Sequence, residues 1–492
     1  MSAQSLATRA VRGVFWTGSP FILQIAISMI FYGYLDAAAM GQFEGALILV
    51  MFLALLTPLG LDQALIQRPE VDEVHYSSSF WLSLAVGLAG AVLVAATAPW
   101  SARLSGVTDV ATFRNILAVL SLILPFSSVS GLLRSRLQRE LRFRPVALAE
   151  ILSVVVYTLA AAVLLYREWG IMSPVVSAVV REVALCLGLA WGAAWRPRLM
   201  LRPAAIRDLL SFGLNFTGSR GVNYLNSNLP AILIFPLLGE AAMGYFRFAY
   251  RLTLMPLVRV STVITRVVFP TFATIQDDTE LLRRGYLRTV DAIALSFWPA
   301  LAAVYALAPQ GIALLQQLNG QELEPALLPV RLLALATVVK AVGTPVGSVF
   351  LARGKASWSL YWSLFSSALL VPALYWSAAH GVEGICAVTA ATSLIFLVLS
   401  QLLANRLLDL RFGAYLATLV RPGLVAVTLA LVLIAARPLL PAAPAAACAA
   451  GTALALVAFA AAARLFAWGQ LRALWRDLRG RAPAGLAPGA GA

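Results

Sequence analysis

The sequence predicts an all-α polytopic membrane protein with 14 transmembrane helices, arranged as two parallel six-helix repeats around a central cavity plus two C-terminal helices. Three observations predict it: composition, the spacing of apolar stretches, and an internal duplication. Of 492 residues, 61% are hydrophobic and only 12% charged, with a mean hydropathy of +0.85. That lies far from a soluble globular domain.

A bilayer core about 30 Å thick needs roughly 20 apolar residues in a helix. Such stretches lie near 14–35, 41–61, 78–99, 115–133, 146–166, 171–194, 211–236, 241–269, 287–308, 327–351, 357–379, 382–404, 413–436 and 445–467. An even number of spans puts both termini on one side. Loops on that side are rich in arginine, whereas the other side has only Arg103, Arg114, Arg167 and Arg437. By the positive-inside rule both termini are cytoplasmic. The first apolar run is too long for a signal-peptide core, and further spans follow it directly. The dense inside loops Arg134–Pro145 and Arg196–Asp208 read as topology anchors and contacts to anionic membrane lipids, not as nucleic-acid sites.

The duplication rests on two anchors in order. GVFWTGSP (Gly13–Pro20) matches GLNFTGSR (Gly213–Arg220) at an offset of 200, and LDAAAMGQF (Leu35–Phe43) matches LGEAAMGYF (Leu238–Phe246) at 203. Matched spans six apart have the same orientation, so the repeats are parallel, related by an axis along the membrane normal. The expected organisation is an N-lobe over 1–208, a C-lobe over 209–410, two further helices over 411–470 and a Pro/Gly-rich cytoplasmic tail over 471–492.

The matched segments differ in charge. Pro20 corresponds to Arg220, Glu44 to Arg247 and Ile48 to Arg251. The eighth span, Tyr245–Phe269, carries Arg247, Arg251, Arg259 and Arg266, which at about 100° per residue fall within a third of the helix circumference. At 1.5 Å per residue the stripe runs for about 28 Å. Arg247 and Arg266 lie near enough to the ends to snorkel. Arg251 and Arg259 do not, and an arginine inside the bilayer is costly without a partner. The intervals of four, eight and seven do not match a voltage sensor's every-third pattern. The seventh span adds Asn215, Ser219, Asn223 and Asn226 beside Arg220 and Tyr224. Amides in a membrane helix join helices or line a polar path.

Several functions have little to build on. Cys186, Cys386 and Cys448 lie in separate apolar stretches, and His75 and His380 are far apart, so neither a metal centre nor a catalytic dyad is expected. No phosphate-binding G-x-x-x-x-G-K-[ST] loop occurs, and no nucleotide or other cofactor is expected. The net charge of +15, almost all from arginine, points to anionic partners.

GLDQALIQRPEVDEVHYSSSFWLSL (Gly60–Leu84), LRSRLQRELRFRPVALAEI (Leu133–Ile151), LLGEAAMGYFRFAYRLTLMPL (Leu237–Leu257) and VVFPTFATIQDDTELLRRGYLR (Val267–Arg288) together resemble bacterial polysaccharide flippases. These belong to the multidrug/oligosaccharidyl-lipid/polysaccharide exporter superfamily, and the likeness is to its colanic-acid-exporter-like branch. The resemblance runs over roughly residues 1–430 and implies a two-lobed inner-membrane transporter, not an enzyme. Its substrate would be a polyprenyl-diphosphate-linked oligosaccharide, moved from the cytoplasmic to the periplasmic leaflet for exopolysaccharide, capsule or O-antigen synthesis. Related lipid flippases also place arginines in the first span, where this chain offers Gln24, with Arg12 at the edge.

Arginine's planar fork binds phosphate oxygens in pairs. The expected diphosphate contacts are therefore Arg220, Arg247, Arg251 and Arg259, with Asn215, Asn223 and Tyr224 near the glycan. Glu150, Asp291 and Lys340 are candidates for a gate or for proton or sodium coupling; Lys340 and Asp291 pairing with each other is the structural alternative. A cation-coupled multidrug antiporter of the same superfamily is the competing reading, and it would require acidic rather than basic residues in the cavity.

Overall fold

The computed structural model describes residues 24–470 and 472, apart from 105, 276 and 321; for Arg259 and most of 260–274 only the backbone is described. The described chain is helical, without a β-strand. Helix α1 (24–34) is followed by α2 (Ala37–Leu56), α3 (Leu61–Gln67), α4 (Glu73–Leu104), α5 (Val110–Ser121), α6 (Ile123–Arg139), α7 (Phe143–Tyr166) and α8 (Met172–Ala193). The stretch Pro203–Thr274 is helical except at Gly239, whose φ of 83° and ψ of −176° divide it into α9 (203–238) and α10 (240–274). Only glycine adopts that backbone readily. Then come α11 (Thr279–Asn319), α12 (Leu327–Gly343), α13 (Val346–Ala352), α14 (Ala356–Ser377), α15 (Gly381–Leu408), α16 (Phe412–Ala435) and α17 (Pro444–Phe466).

Eleven helical segments are long and apolar enough to cross a membrane. Two of them, Pro203–Val258 and Tyr361–Leu408, each hold two helices, so 13 of the expected spans lie among the described residues. The described part of the first expected span, 24–34, is helical as well. Breaks within spans have local causes. Pro125 leaves the carbonyl four residues earlier without a donor, and α5 yields to α6 at Leu122. Pro345 stands at the break between α12 and α13, where the Thr344 N–H takes the Ala341 carbonyl instead, at 3.3 Å. The protein is a multi-pass integral membrane protein. Leu93, Leu159, Val163, Leu187 and Leu456 are exposed on long helices, which suits hydrocarbon and would be untenable in water over so many turns.

Two compact units divide the described residues, one up to Arg247 and one from Phe248 onward, so that the division falls within α10. In the first, Leu133, Leu137, Val146, Ala149, Leu185 and Leu189 form a core where α6, α7 and α8 meet. Leu61, Leu65, Tyr76, Leu132 and Leu209 form another around α3. The second unit is centred on Leu282, Tyr286, Val290, Val349, Leu408 and Tyr415. Within it the Tyr286 hydroxyl donates to Gln401 at 2.6 Å, and Gln401 donates to Asn405 at 2.8 Å. Buried hydrogen bonds of this kind fix helix register.

Two arginines of the segment 134–145 are engaged within the protein. Arg136 pairs with Glu73 at 2.9 Å and lies over the rings of Tyr76 and Trp195. Arg139 donates to the carbonyls of Leu65, Arg68 and Pro69 at 2.6, 2.6 and 2.7 Å. Both guanidiniums hold the 65–73 loop against α6.

Candidate functional site

A sharp reversal after α2 places the first charged pair. Leu59 and Gly60 both have positive φ, 52° and 67°. A Cβ at Gly60 would lie 2.2 Å from the Gly213 carbonyl oxygen, and one at Gly213 would lie 2.4 Å from that of Leu59. The two backbones touch because neither residue has a side chain. This seats α3 beside α9 and brings Asp62 to 3.8 Å from Arg220. The Asp62 side chain is 8% exposed and Arg220 46%. At 3.8 Å the contact is electrostatic and not a hydrogen bond. One Asp62 oxygen accepts from the Gln63 amide at 3.2 Å, and the other is enclosed without a hydrogen-bond partner among the described residues. The Arg220 guanidinium lies 5.7 Å from the Phe216 ring centre. Its donors therefore remain open to an incoming anion.

A second charged group lies at the other end of α2. Glu44 and Arg247 approach to 3.2 Å, with side chains 3% and 11% exposed. Here α2 and α10 cross at glycines: a Cβ at Gly41 would meet the Glu240 carbonyl at 1.7 Å, and one at Gly244 would meet the Ala37 carbonyl at 1.9 Å. Gln42 donates to one Glu240 oxygen at 2.7 Å and Thr108 to the other at 2.5 Å. From Glu44 to the end of α2 at Leu56 is about 18 Å at 1.5 Å per residue. One acid–arginine pair thus lies toward each end of the α2–α3 segment.

Tyr224 ties these elements together midway. Its hydroxyl donates to the Ile48 carbonyl at 2.9 Å, and its ring lies 5.8 Å from that of Phe52. Beside it is an apolar crevice of about 220 Å³ between α2 and α9, lined in part by Gly45, Phe52, Ile232 and Phe235. Asn215 and Asn223 are exposed two turns apart on α9. The Asn215 amide returns to the Ser211 carbonyl at 3.0 Å, and Ser219 returns to that of Asn215 at 3.1 Å.

Of the residues expected to hold a diphosphate, Arg220 and Arg247 fall in the first unit, at separate ends. Arg251 is half-buried and belongs to the second unit; the side chain of Arg259 lies outside the described residues. Arg220, Asn223 and Tyr224 share little more than one turn of α9. Glu150 is paired with Arg134 at 2.6 Å. Asp291 accepts from the Gln470 amide at 2.7 Å and does not pair with Lys340. Lys340 is exposed on α12, and Thr344, one turn on, donates to its carbonyl at 3.2 Å while lying 3.4 Å from Ser261 of α10.

Sequence reasoning overlooked the counter-ions Glu44 and Asp62. For Glu44 a signal existed, since it corresponds to Arg247 in the matched segments. Asp62 stands in a loop-like stretch, GLDQALIQR, and only the reversal at Leu59 and Gly60 turns it inward.

Residues 34–317 match the family model described as polysaccharide biosynthesis protein. The chain is 25% identical to the lipopolysaccharide biosynthesis protein WzxC of Escherichia coli K12 over 75% of each chain. It is 27% identical to the succinoglycan biosynthesis transport protein ExoT of Rhizobium meliloti 1021, over 78% of this chain and 79% of that one. Among solved structures it is similar to the lipid II flippase MurJ in an inward closed conformation, with a TM-score of 0.73, 12% identity, and coverage of 95% of this chain and 99% of that one. An inward-facing multidrug resistance transporter of the MATE family superposes with a TM-score of 0.66 at 15% identity, over 83% and 98% of the two chains.

Proposed function

Because the chain belongs to the polysaccharide biosynthesis protein family, we propose that it is a flippase that carries a polyprenyl-diphosphate-linked oligosaccharide unit from the cytoplasmic to the periplasmic leaflet. It is a transporter and not an enzyme, as its relatives' transport and flippase names support. The observation that carries the substrate reading is Arg220: a half-exposed guanidinium on a membrane helix, without a hydrogen bond among the described residues, 3.8 Å from a buried carboxylate. Such a group has donors to offer and a counter-charge that keeps it tolerable when empty. A diphosphate competes with Asp62 for it through two hydrogen bonds, where Asp62 makes none.

In this reading Arg220, Arg247, Arg251 and Arg259 meet phosphate at different stages of the cycle, and Asn215, Asn223 and Tyr224 face the sugars. Arg247, enclosed with Glu44, is a closed end of the path, and Arg220 an open one. Both termini are cytoplasmic and the lobes are 1–208 and 209–410, followed by helices over 411–470 and the tail; the lobes rock about the site by alternating access. The reciprocal contacts of Gly41 and Gly244 support duplicated lobes, since a two-fold axis makes each contact occur twice. For ion coupling Asp291 is the stronger candidate, because Glu150 already has Arg134.

The test is accumulation of lipid-linked oligosaccharide in the cytoplasmic leaflet when the chain is deleted, relieved by the wild type. The competing reading, a drug antiporter, has the fold likeness in its favour. Drug resistance restored in a sensitised strain, with no lipid-linked intermediate accumulating on deletion, would select it.

A further inference from the structure

A groove of about 350 Å³ runs between α7 and α8, apart from the residues assigned to transport. Its floor exists because α8 is smooth there. A Cβ at Gly192 would lie 2.7 Å from the Pro145 Cβ, and one at Gly188 would lie 3.0 Å from that of Ala149. The helices touch at these two glycines, and the larger side chains are pushed to the groove's rims. Leu148, Leu152 and Trp191 stand exposed there, Trp191 at 85%.

Two arginines close the mouth. Arg142 is held: it donates to the Gly192 carbonyl at 2.9 Å and to Glu140 at 3.2 Å. Arg144 is exposed and has neither an ion pair nor a hydrogen bond among the described residues. From Arg144 to Leu152 the groove follows α7 for about 12 Å. A cationic mouth, a tryptophan and an apolar floor in that order match a lipid at the membrane boundary: headgroup, interface and acyl chain.

We propose that this groove binds one anionic glycerophospholipid of the leaflet that meets the arginine-rich loops. Charge selects this occupant over the polyprenyl diphosphate itself. Arg142 shares Glu140, so Arg144 supplies one uncompensated positive charge, which fits a phosphodiester monoanion and underfits a diphosphate. The volume lies at the lower end of the range for small-ligand sites, enough for a headgroup and the first part of a chain. The lipid ties α7 to α8 at the inner boundary, in addition to the contacts at Gly188 and Gly192.

Native mass spectrometry of the full chain in detergent, with added phosphatidylglycerol or phosphatidylcholine, tests the assignment. One retained phosphatidylglycerol and little phosphatidylcholine are expected. Arg144→Ala removes a charge-assisted contact and lowers retention about tenfold. Leu152→Trp fills the groove from an exposed position that can accept it, and lowers retention as well; a monodisperse elution profile shows that either variant is folded. Equal retention of both lipids, or unchanged retention in folded variants, overturns the proposal. So does displacement of the phosphatidylglycerol by an equimolar polyprenyl diphosphate. None of these outcomes bears on transport, which is measured separately.

Discussion

Glu44 and Arg247 occupy corresponding positions in segments 203 residues apart, and they touch each other at 3.2 Å in a buried pair. The backbones of the same two helices touch beside it, with Gly41 against Glu240 and Gly244 against Ala37. Opposite charges at this buried crossing make the contact an attraction.

Removing one charge of a buried pair typically costs about 3–5 kcal/mol, because the other is left without its counter-charge. Glu44→Ala and Arg247→Ala are each expected to lower the unfolding temperature of the solubilised protein. The exchanged double variant, Glu44→Arg with Arg247→Glu, recovers at least half of the loss. Thermal denaturation followed by tryptophan fluorescence reads this directly. Single variants as stable as the wild type would show that the pair contributes nothing.

The glycine crossing predicts a symmetric intolerance. A Cβ 1.7 Å from a carbonyl oxygen at Gly41, or 1.9 Å at Gly244, cannot be accommodated without separating α2 from α10. Gly41→Ala and Gly244→Ala should each destabilise by at least the 1–3 kcal/mol typical of overpacking. Gly218→Ala is the control. Nothing lies within 4 Å of that position, and alanine is the better helix former by about 1 kcal/mol. Yield and melting temperature of the three variants in parallel decide it, and a Gly41→Ala protein that matches the control contradicts the close crossing.

The fold was legible where apolar length and Pro/Gly punctuation set it. Spans read near 146–166 and 413–436 appear as Phe143–Tyr166 and Phe412–Ala435. Helix ends were less legible: α4 starts at Glu73, several residues before its apolar core, because polar turns lengthen a helix without changing its hydropathy. At the site, arginines stood out by their cost in an apolar stretch. Their carboxylate partners did not, since Asp62 is recognisable as interior only after the chain reverses at Leu59 and Gly60. The single glutamate of α2 also carried weak weight alone.

Outside the membrane, Asp72 makes stability depend on pH. Its carboxylate is held below the ordinary value of 3.8, first by the backbone N–H of His75, at 3.0 Å, and then by the His75 ring. A depressed carboxylate stabilises the folded state above its unfolded pKa, and the contribution is lost as pH falls through the folded one. Wild type is therefore expected to melt slightly higher than Asp72→Asn at pH 6, the gap closing below about pH 4. Being exposed, the group gives a small gap. A difference that widens on acidification would have the wrong sign.

Arg220 and Asp62 should act in opposite directions on binding. Arg220→Ala removes the fork and should weaken binding of a polyprenyl diphosphate to the purified protein at least tenfold, the scale of one charge-assisted contact. Glycan export should fall with it while the protein still reaches the membrane. Arg220→Lys keeps the charge but not the paired donors, so it falls between. Asp62→Asn removes the competing charge 3.8 Å away and should tighten binding several-fold, by the scale of an ion contact screened by a half-exposed partner. Tighter binding with slower export is the mark of a counter-ion that the substrate must displace and that later helps expel it. If Asp62→Asn binds no more tightly than the wild type, the carboxylate only holds α3 in place.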